Sequence, residues 1–271
     1  MIINKKRAIK WIQYILIAYG LIGIALYYLQ NMFLFHPKKL DRDHAFHFEE
    51  KFEEVNIPFN QRDTINMIKF FPNDTLRRGA VVYFHGNKDN VEHYAKYVSN
   101  FTRHGYEVWI EDYPGFGKSV GSRAEDDLYK QALQIERMAA SKYSADSIIV
   151  YGKSFGTGIA AYVAANAPCK RLILESPYYS IPALFSCYAP VYPTASMSEY
   201  KIPTHEFLED VKFPVTIFHG TEDEIIPYRC ANRLRKYLKP GDEFIRLEKG
   251  GHNDLNENSI FRHKLDSLLA L

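Results

Sequence analysis

From about residue 53 to the end of the chain, short apolar runs alternate with helical patterns, and this rhythm restricts the fold more than any other feature. "VNIPF" and "INMIKFF" open the series, the second bounded by the turn "PNDTLRRG". Then come "AVVYFH" (80–85), "YEVWIED" (106–112), "SIIVYG" (147–152), "RLILES" (171–176), "VTIFHG" (215–220) and "FIRLEK" (244–249). Such runs, rich in β-branched and aromatic residues without polar alternation, suit central parallel strands covered on both faces. Helical patterns fill the gaps at 90–103, 125–142, 156–167, 228–238 and 257–270. The expected class is therefore α/β: a mostly parallel sheet of eight strands with helices on both faces, wound by right-handed crossovers. In such sheets ligands bind beyond the carboxyl ends of the strands, so chemistry is sought in the loops that follow them.

Residues Trp11–Leu29, "WIQYILIAYGLIGIALYYL", are apolar apart from Gln13 and approach the ~20 residues needed to span a bilayer as a helix. Trp11 and several tyrosines lie toward its ends, as amphipathic rings do at headgroup level. "NKKRAIK" would also serve as the basic region of a signal peptide, but no small-x-small cleavage site follows the apolar run, so retention as a transmembrane anchor is expected. Lys5, Lys6, Arg7 and Lys10 precede the span and Lys38, Lys39 and Arg42 follow it. By the positive-inside rule the N-terminus is cytoplasmic and the main domain lies on the opposite side of a single-pass membrane protein. The expected organisation is a basic flank (1–10), the anchor (11–29), a solvated, His-containing linker (30–52) and one domain (53–271). A net charge of +2 gives no field for collecting nucleic-acid phosphates. Cys169, Cys187 and Cys230 form no CxxC pair and no metal-ligand spacing, though one disulfide is possible. Neither metal nor organic cofactor is expected.

Two pentapeptides share their chemistry-bearing letters: "GKSVG" (117–121) and "GKSFG" (152–156). Both end like a phosphate-binding loop, yet that motif needs a glycine five residues before its GKS glycine, and here Asp112 and Ser147 stand there. A nucleophile elbow instead requires a strand running straight into G-x-S-x-G and on into a helix, which lifts the serine above the sheet. Ser154 meets that context: "SIIVY" leads into it and "GTGIAAYVAAN" continues with small residues that allow close helix–sheet packing. Ser119 follows "YPGFG", several residues beyond its strand, and reads as a loop residue.

A serine hydroxyl needs a positioned base, and the base needs a carboxylate to hold its tautomer, in the order Ser, acid, His. Among the downstream histidines, His205 falls in an insertion, His219 precedes any acid loop and His263 lies in a helical pattern. His252, in the glycine-rich loop "LEKGGHND" after the last strand, is the candidate base. The loop "IFHGTEDEIIP" offers Glu222, Asp223 and Glu224 as acids, and Glu175, which ends "LILE", is an alternative. The residue after the nucleophile, Phe155, should supply one oxyanion N–H. Between about 177 and 212 a proline-rich, aromatic insertion forms a small cap, either an apolar wall for an acyl group or simple packing. Lys153 beside Ser154 would favour anionic substrates unless a neighbouring carboxylate takes it.

Taken together these motifs resemble the α/β-hydrolase serine hydrolases over about 53–271. His219, Gly220, Asp223, Ile226 and Pro227 match that family's H-G-x-x-D-x-x-[VI]-P pattern, and the resemblance implies Asp223 as the acid. "HGN" (85–87) resembles the family's H-G-x turn, implying that Asn87 gives the second oxyanion N–H and that His85 is structural. "FHP" after the span, "FHGN", "DYPGFGKS" and the G-[KR]-S-x-G elbow are most similar to small-cap, single-span hydrolases, some of which act on acylated proteins or lipids. The resemblance implies a membrane-anchored hydrolase of ester or thioester bonds using Ser154, Asp223 and His252, acting on a small-molecule ester, a lipid or an acylated protein. A serine peptidase or amidase of the same fold, and a non-catalytic tethered binding protein, are the alternatives.

Overall fold

The computed structural model describes residues 5–73 and 77–270; three residues of the expected turn at 72–79, 74–76, lie outside them. One eight-stranded sheet organises the chain. Its strands are β2 (Phe52–Pro58), β3 (Thr64–Phe70), β4 (Gly79–Phe84), β6 (Tyr106–Glu111), β7 (Ile148–Lys153), β8 (Arg171–Glu175), β9 (Val215–Gly220) and β10 (Glu243–Leu247), in the order β10-β9-β8-β7-β4-β6-β3-β2. Neighbours from β10 to β6 are parallel, while β3 is antiparallel to both β6 and β2. Two-residue strands β1 (His36–Pro37) and β5 (Lys88–Asp89) pair separately. The fold class read from the sequence is the one observed.

Alternate residues of each central strand feed two cores. On one face Val82, Trp109, Val150 and Leu174 pack with α4 (Glu125–Ala140), α5 (Gly156–Asn166) and α8 (Thr204–Asp210). On the other, Val81, Tyr83, Val108 and Ile149 pack with the α2 (Val91–Tyr94) and α3 (Ser99–Thr102) region and with α10 (Ser259–Ala270). All six residues of β4, β6, β7 and β9 are buried, which explains their apolar runs. The helices expected at 90–103 and 228–238 are broken: 3₁₀ turns occupy Ala95–Tyr97 in the first and Asn232–Tyr237 after α9 (Tyr228–Ala231) in the second. The cap contains α6 (Ile181–Tyr188) and α7 (Thr194–Met197).

The N-terminal helix α1 runs Lys5–Leu34, longer than the nineteen apolar residues alone, and is long and apolar enough to cross a membrane. The stretch after it departs from expectation. Rather than a solvated linker, residues 35–40 form a strap held by backbone pairing. His36 N–H donates to Asn87 O at 2.8 Å, Lys38 N–H to Asp89 O at 3.0 Å, and Leu40 N–H to Gly117 O at 2.8 Å. Phe35 and Phe46 are buried, one in each core. Distant loops supply the partners, and Lys38 and Lys39 keep their side chains exposed, so the sequence of the stretch carries no trace of its pairing.

Candidate active site

β4, β7, β9 and β10 end at one edge of the sheet, with Phe84 beside Gly152 and Leu247 beside Gly220. The loops leaving that edge carry His85–Asn87, Ser154, Asp223 and His252. Only Ser154 and Phe155 separate β7 from α5, and Ser154 has φ 52°, a left-handed conformation uncommon for a non-glycine. The flanking glycines are required by contact. A Cβ on Gly152 would lie 2.6 Å from Gly156 O and 2.7 Å from Ala160 Cβ, and one on Gly156 would lie 2.1 Å from Phe84 O. Any side chain there would push α5 off the sheet and lower the serine.

His252 Nε2 is 2.8 Å from Ser154 Oγ, and its Nδ1 is 2.8 Å from Asp223 Oδ2. The other Asp223 oxygen accepts the N–H groups of Ile225 at 2.9 Å and Ile226 at 2.7 Å. Burial opposes ionisation of Asp223, but the hydrogen bond and charge of His252, the Ile226 N–H and nearby His219 outweigh it and hold the carboxyl below its ordinary value. His219 donates from Nε2 to Ile226 O at 2.8 Å, and burial lowers its own pKa, so it braces the acid loop as a neutral ring. With Nδ1 of His252 donating to the carboxylate, Nε2 is left to accept the serine proton. Gly86 lies against Ser154, since a Cβ on it would sit 3.4 Å from Ser154 Cβ. Among the described residues, no backbone acceptor takes the N–H of Asn87 or Phe155.

A family profile for serine aminopeptidase, S33, matches residues 75–206. The alpha/beta hydrolase domain-containing protein 17C of Xenopus tropicalis is 27% identical over 196 residues, covering 71% of this chain. The chain spans about three-fifths of that relative, the alignment covering 62% of its length. The esterase Pf2001 of Pyrococcus furiosus superposes with a TM-score of 0.65 at 15% identity, covering 87% of this chain and 96% of its own. The monoacylglycerol lipase of Paleococcus ferrophilus gives 0.61 at 19%, covering 76% and 98%. These likenesses show the α/β-hydrolase fold, and the chain is similar in sequence to hydrolases built on it.

The remaining sequence candidates have other partners. Glu175 accepts from Tyr151 and Lys153 and, at 3.3 Å, from Asn256, so the alternative acid is taken up away from His252. Lys153 is 2% exposed, and its charge is neutralised by Glu175. Ser119 is buried and accepts the Asn66 N–H at 2.7 Å, tying the "GKSVG" loop to β3. His85 is wholly buried; it donates from Nδ1 to Gly86 O at 2.6 Å, has Nε2 3.3 Å from Asp112, and packs between Tyr94 and Tyr113. Cys187 and Cys230 are joined in a disulfide from α6 to α9, leaving Cys169 free and buried.

Site support from the N-terminal strap was not read from the sequence. The Phe35 ring packs edge-on against Phe155 at 5.1 Å, while Asn87 Nδ2 donates to Leu34 O at 2.6 Å. Both residues expected to bind the oxyanion are thus held where α1 passes into the strap, at Leu34 and Phe35. The signal available was the "FHP" tripeptide, whose three residues begin the strap.

Proposed function

We propose that the chain is a membrane-anchored serine hydrolase of ester or thioester bonds, with Ser154 as nucleophile, His252 as base and Asp223 as its orienting acid. The observation that carries it is the continuous hydrogen-bonded relay from Asp223 through His252 to a serine at φ 52°. His252 Nε2 takes the Ser154 proton as Oγ attacks the acyl carbon, and the N–H groups of Phe155 and Asn87 receive the developing oxyanion. On collapse, the bond to the leaving oxygen or sulfur breaks and His252 returns the proton to it, leaving an acyl-serine. Water then attacks with His252 again as base, releasing the acid and restoring Ser154.

Membrane anchoring draws support from α1, whose apolar side chains are exposed along its length, Ile15 and Leu16 among them. The Cys187–Cys230 disulfide favours an oxidising compartment for the domain, in agreement with four basic residues before the span against three after it. The family profile's description favours one rival, cleavage of an aminoacyl amide. A panel of p-nitrophenyl esters graded by chain length, beside an acyl thioester and an aminoacyl p-nitroanilide, separates the two. Ester or thioester turnover abolished by Ser154→Ala is expected; turnover of the anilide alone would refute the ester reading.

A further inference from the structure

The tip of the cap is bonded to the middle of the apolar helix, not to its end. Tyr192 stacks on Tyr19 with ring centroids 4.5 Å apart and planes 4° from parallel. Its hydroxyl donates to Tyr19 O at 3.1 Å, and the Tyr19 hydroxyl donates to Val191 O at 2.9 Å. A Cβ on Gly23, one turn on, would lie 3.1 Å from the Tyr192 ring. Nearer the domain, Gln30 Oε1 accepts the Glu199 N–H at 2.7 Å, so cap and helix run alongside each other.

Helix length fixes what this means. Between Lys10 and Tyr19 lie only eight residues, about 12 Å at 1.5 Å per residue, against the ~20 residues a span requires. If α1 crosses a bilayer, the part from Tyr19 toward Leu29 must lie in hydrocarbon, and whatever is bonded to Tyr19 lies there too. We infer that the cap tip, Ala189–Pro193, is inserted in the acyl region of the membrane and presents the active site to lipid chains from within the bilayer. This rests on the anchored reading above.

Two features of the cap fit that surrounding. No Asp, Glu, Lys or Arg occurs from Ser176 to Ser198, although Tyr188 is 59% and Val191 70% exposed. Irregular backbone at membrane depth needs its polar groups satisfied. Here most are: the N–H of Ala189 donates to Phe185 O and that of Tyr192 to Ala189 O, Pro190 and Pro193 have none, and the Val191 carbonyl accepts from Tyr19, which leaves the Val191 N–H as the one tip donor without a backbone acceptor among the described residues. Tyr188, the residue before the tip, ties the cap to the acid loop, because its hydroxyl is shared between the carbonyls of Glu224 and Ile225, next to Asp223.

The test uses the full chain in phosphatidylcholine vesicles, with an environment-sensitive fluorophore on Val191→Cys or Ile15→Cys and unlabelled-site wild type as background. Emission shifted to shorter wavelength and quenched by mid-chain nitroxide lipids at both positions is expected. Quenching at Ile15 without quenching at Val191 overturns the inference and leaves the anchor intact; quenching at neither overturns both. Val191→Asp should lower turnover of a long-chain ester resident in the vesicles roughly tenfold or more, since a charge at that depth is disfavoured, with short-chain soluble ester turnover unchanged. Equal effects on both substrates, or on neither, would also overturn it.

Discussion

Phe35→Ala tests whether the end of the N-terminal helix sets the geometry of the oxyanion site. The ring is 4% exposed and packs edge-on against Phe155, Tyr200 and Phe116 at 5.1, 5.2 and 6.3 Å, with the Arg123 guanidinium 4.9 Å from its centroid. Removing a buried phenylalanine costs about 3–5 kcal/mol. In a domain of this size that lowers Tm by about 10 °C. Catalysis should suffer separately. Loss of a whole oxyanion donor costs about 10²–10³ in kcat, and Phe35 acts only through the position of Phe155, so a fall of about tenfold is expected. The assay is kcat and KM on a soluble short-chain ester, measured well below the variant's Tm. KM should change little, because the donor acts where charge develops, and Phe35→Leu should restore Tm more fully than kcat. A variant destabilised as calculated but with kcat within twofold of wild type would refute the reasoning.

Asp223→Asn would present an amide N–H to His252 Nδ1 and leave Nε2 protonated, so kcat should drop about 10⁴-fold with the fold retained by circular dichroism. Glu111 is buried with its Oε2 unpartnered, and burial, aided by Asp112, raises its pKa to about 8. A carboxyl whose folded pKa is raised binds its proton more tightly when folded, so its stabilisation is fully present below about 4.5 and is lost as pH rises toward 8. Glu111→Gln should therefore raise stability to urea by about 3–4 kcal/mol more at pH 8 than at pH 5; an equal gain at both would exclude ionisation as the cause. The Cys187–Cys230 bridge closes 43 residues, for which chain entropy gives about 4 kcal/mol, so Cys187→Ser and a reducing agent should lower Tm alike and without additivity. Additive losses would mean the reductant acts elsewhere.

The sheet was legible because each central strand is buried on both faces, which leaves apolar runs such as "AVVYF" and "SIIVY" that few other structures produce. The elbow was legible for a steric reason, as the contacts at Gly152 and Gly156 demonstrate. Choosing Asp223 over Glu222 and Glu224 was different: all three could reach a histidine by spacing, and only the resemblance picked one. The strap was illegible because it is held by main-chain bonds to Asn87, Asp89 and Gly117, and backbone pairing across fifty or more residues leaves no local pattern. The buried Glu111 was likewise hidden, since a carboxylate at the end of "YEVWIED" looks like a solvated strand end. Three cysteines allowed three pairings, and only the approach of α6 to α9 chose between them.

The central claim is that "GKSFG" carries the nucleophile and "GKSVG" does not. Labelling by a fluorophosphonate probe, with mass spectrometry of the modified peptide, tests it most directly. The account predicts one adduct, on Ser154, absent in Ser154→Ala and retained in a folded Ser119→Ala variant. An adduct that survives Ser154→Ala and disappears in Ser119→Ala would contradict it.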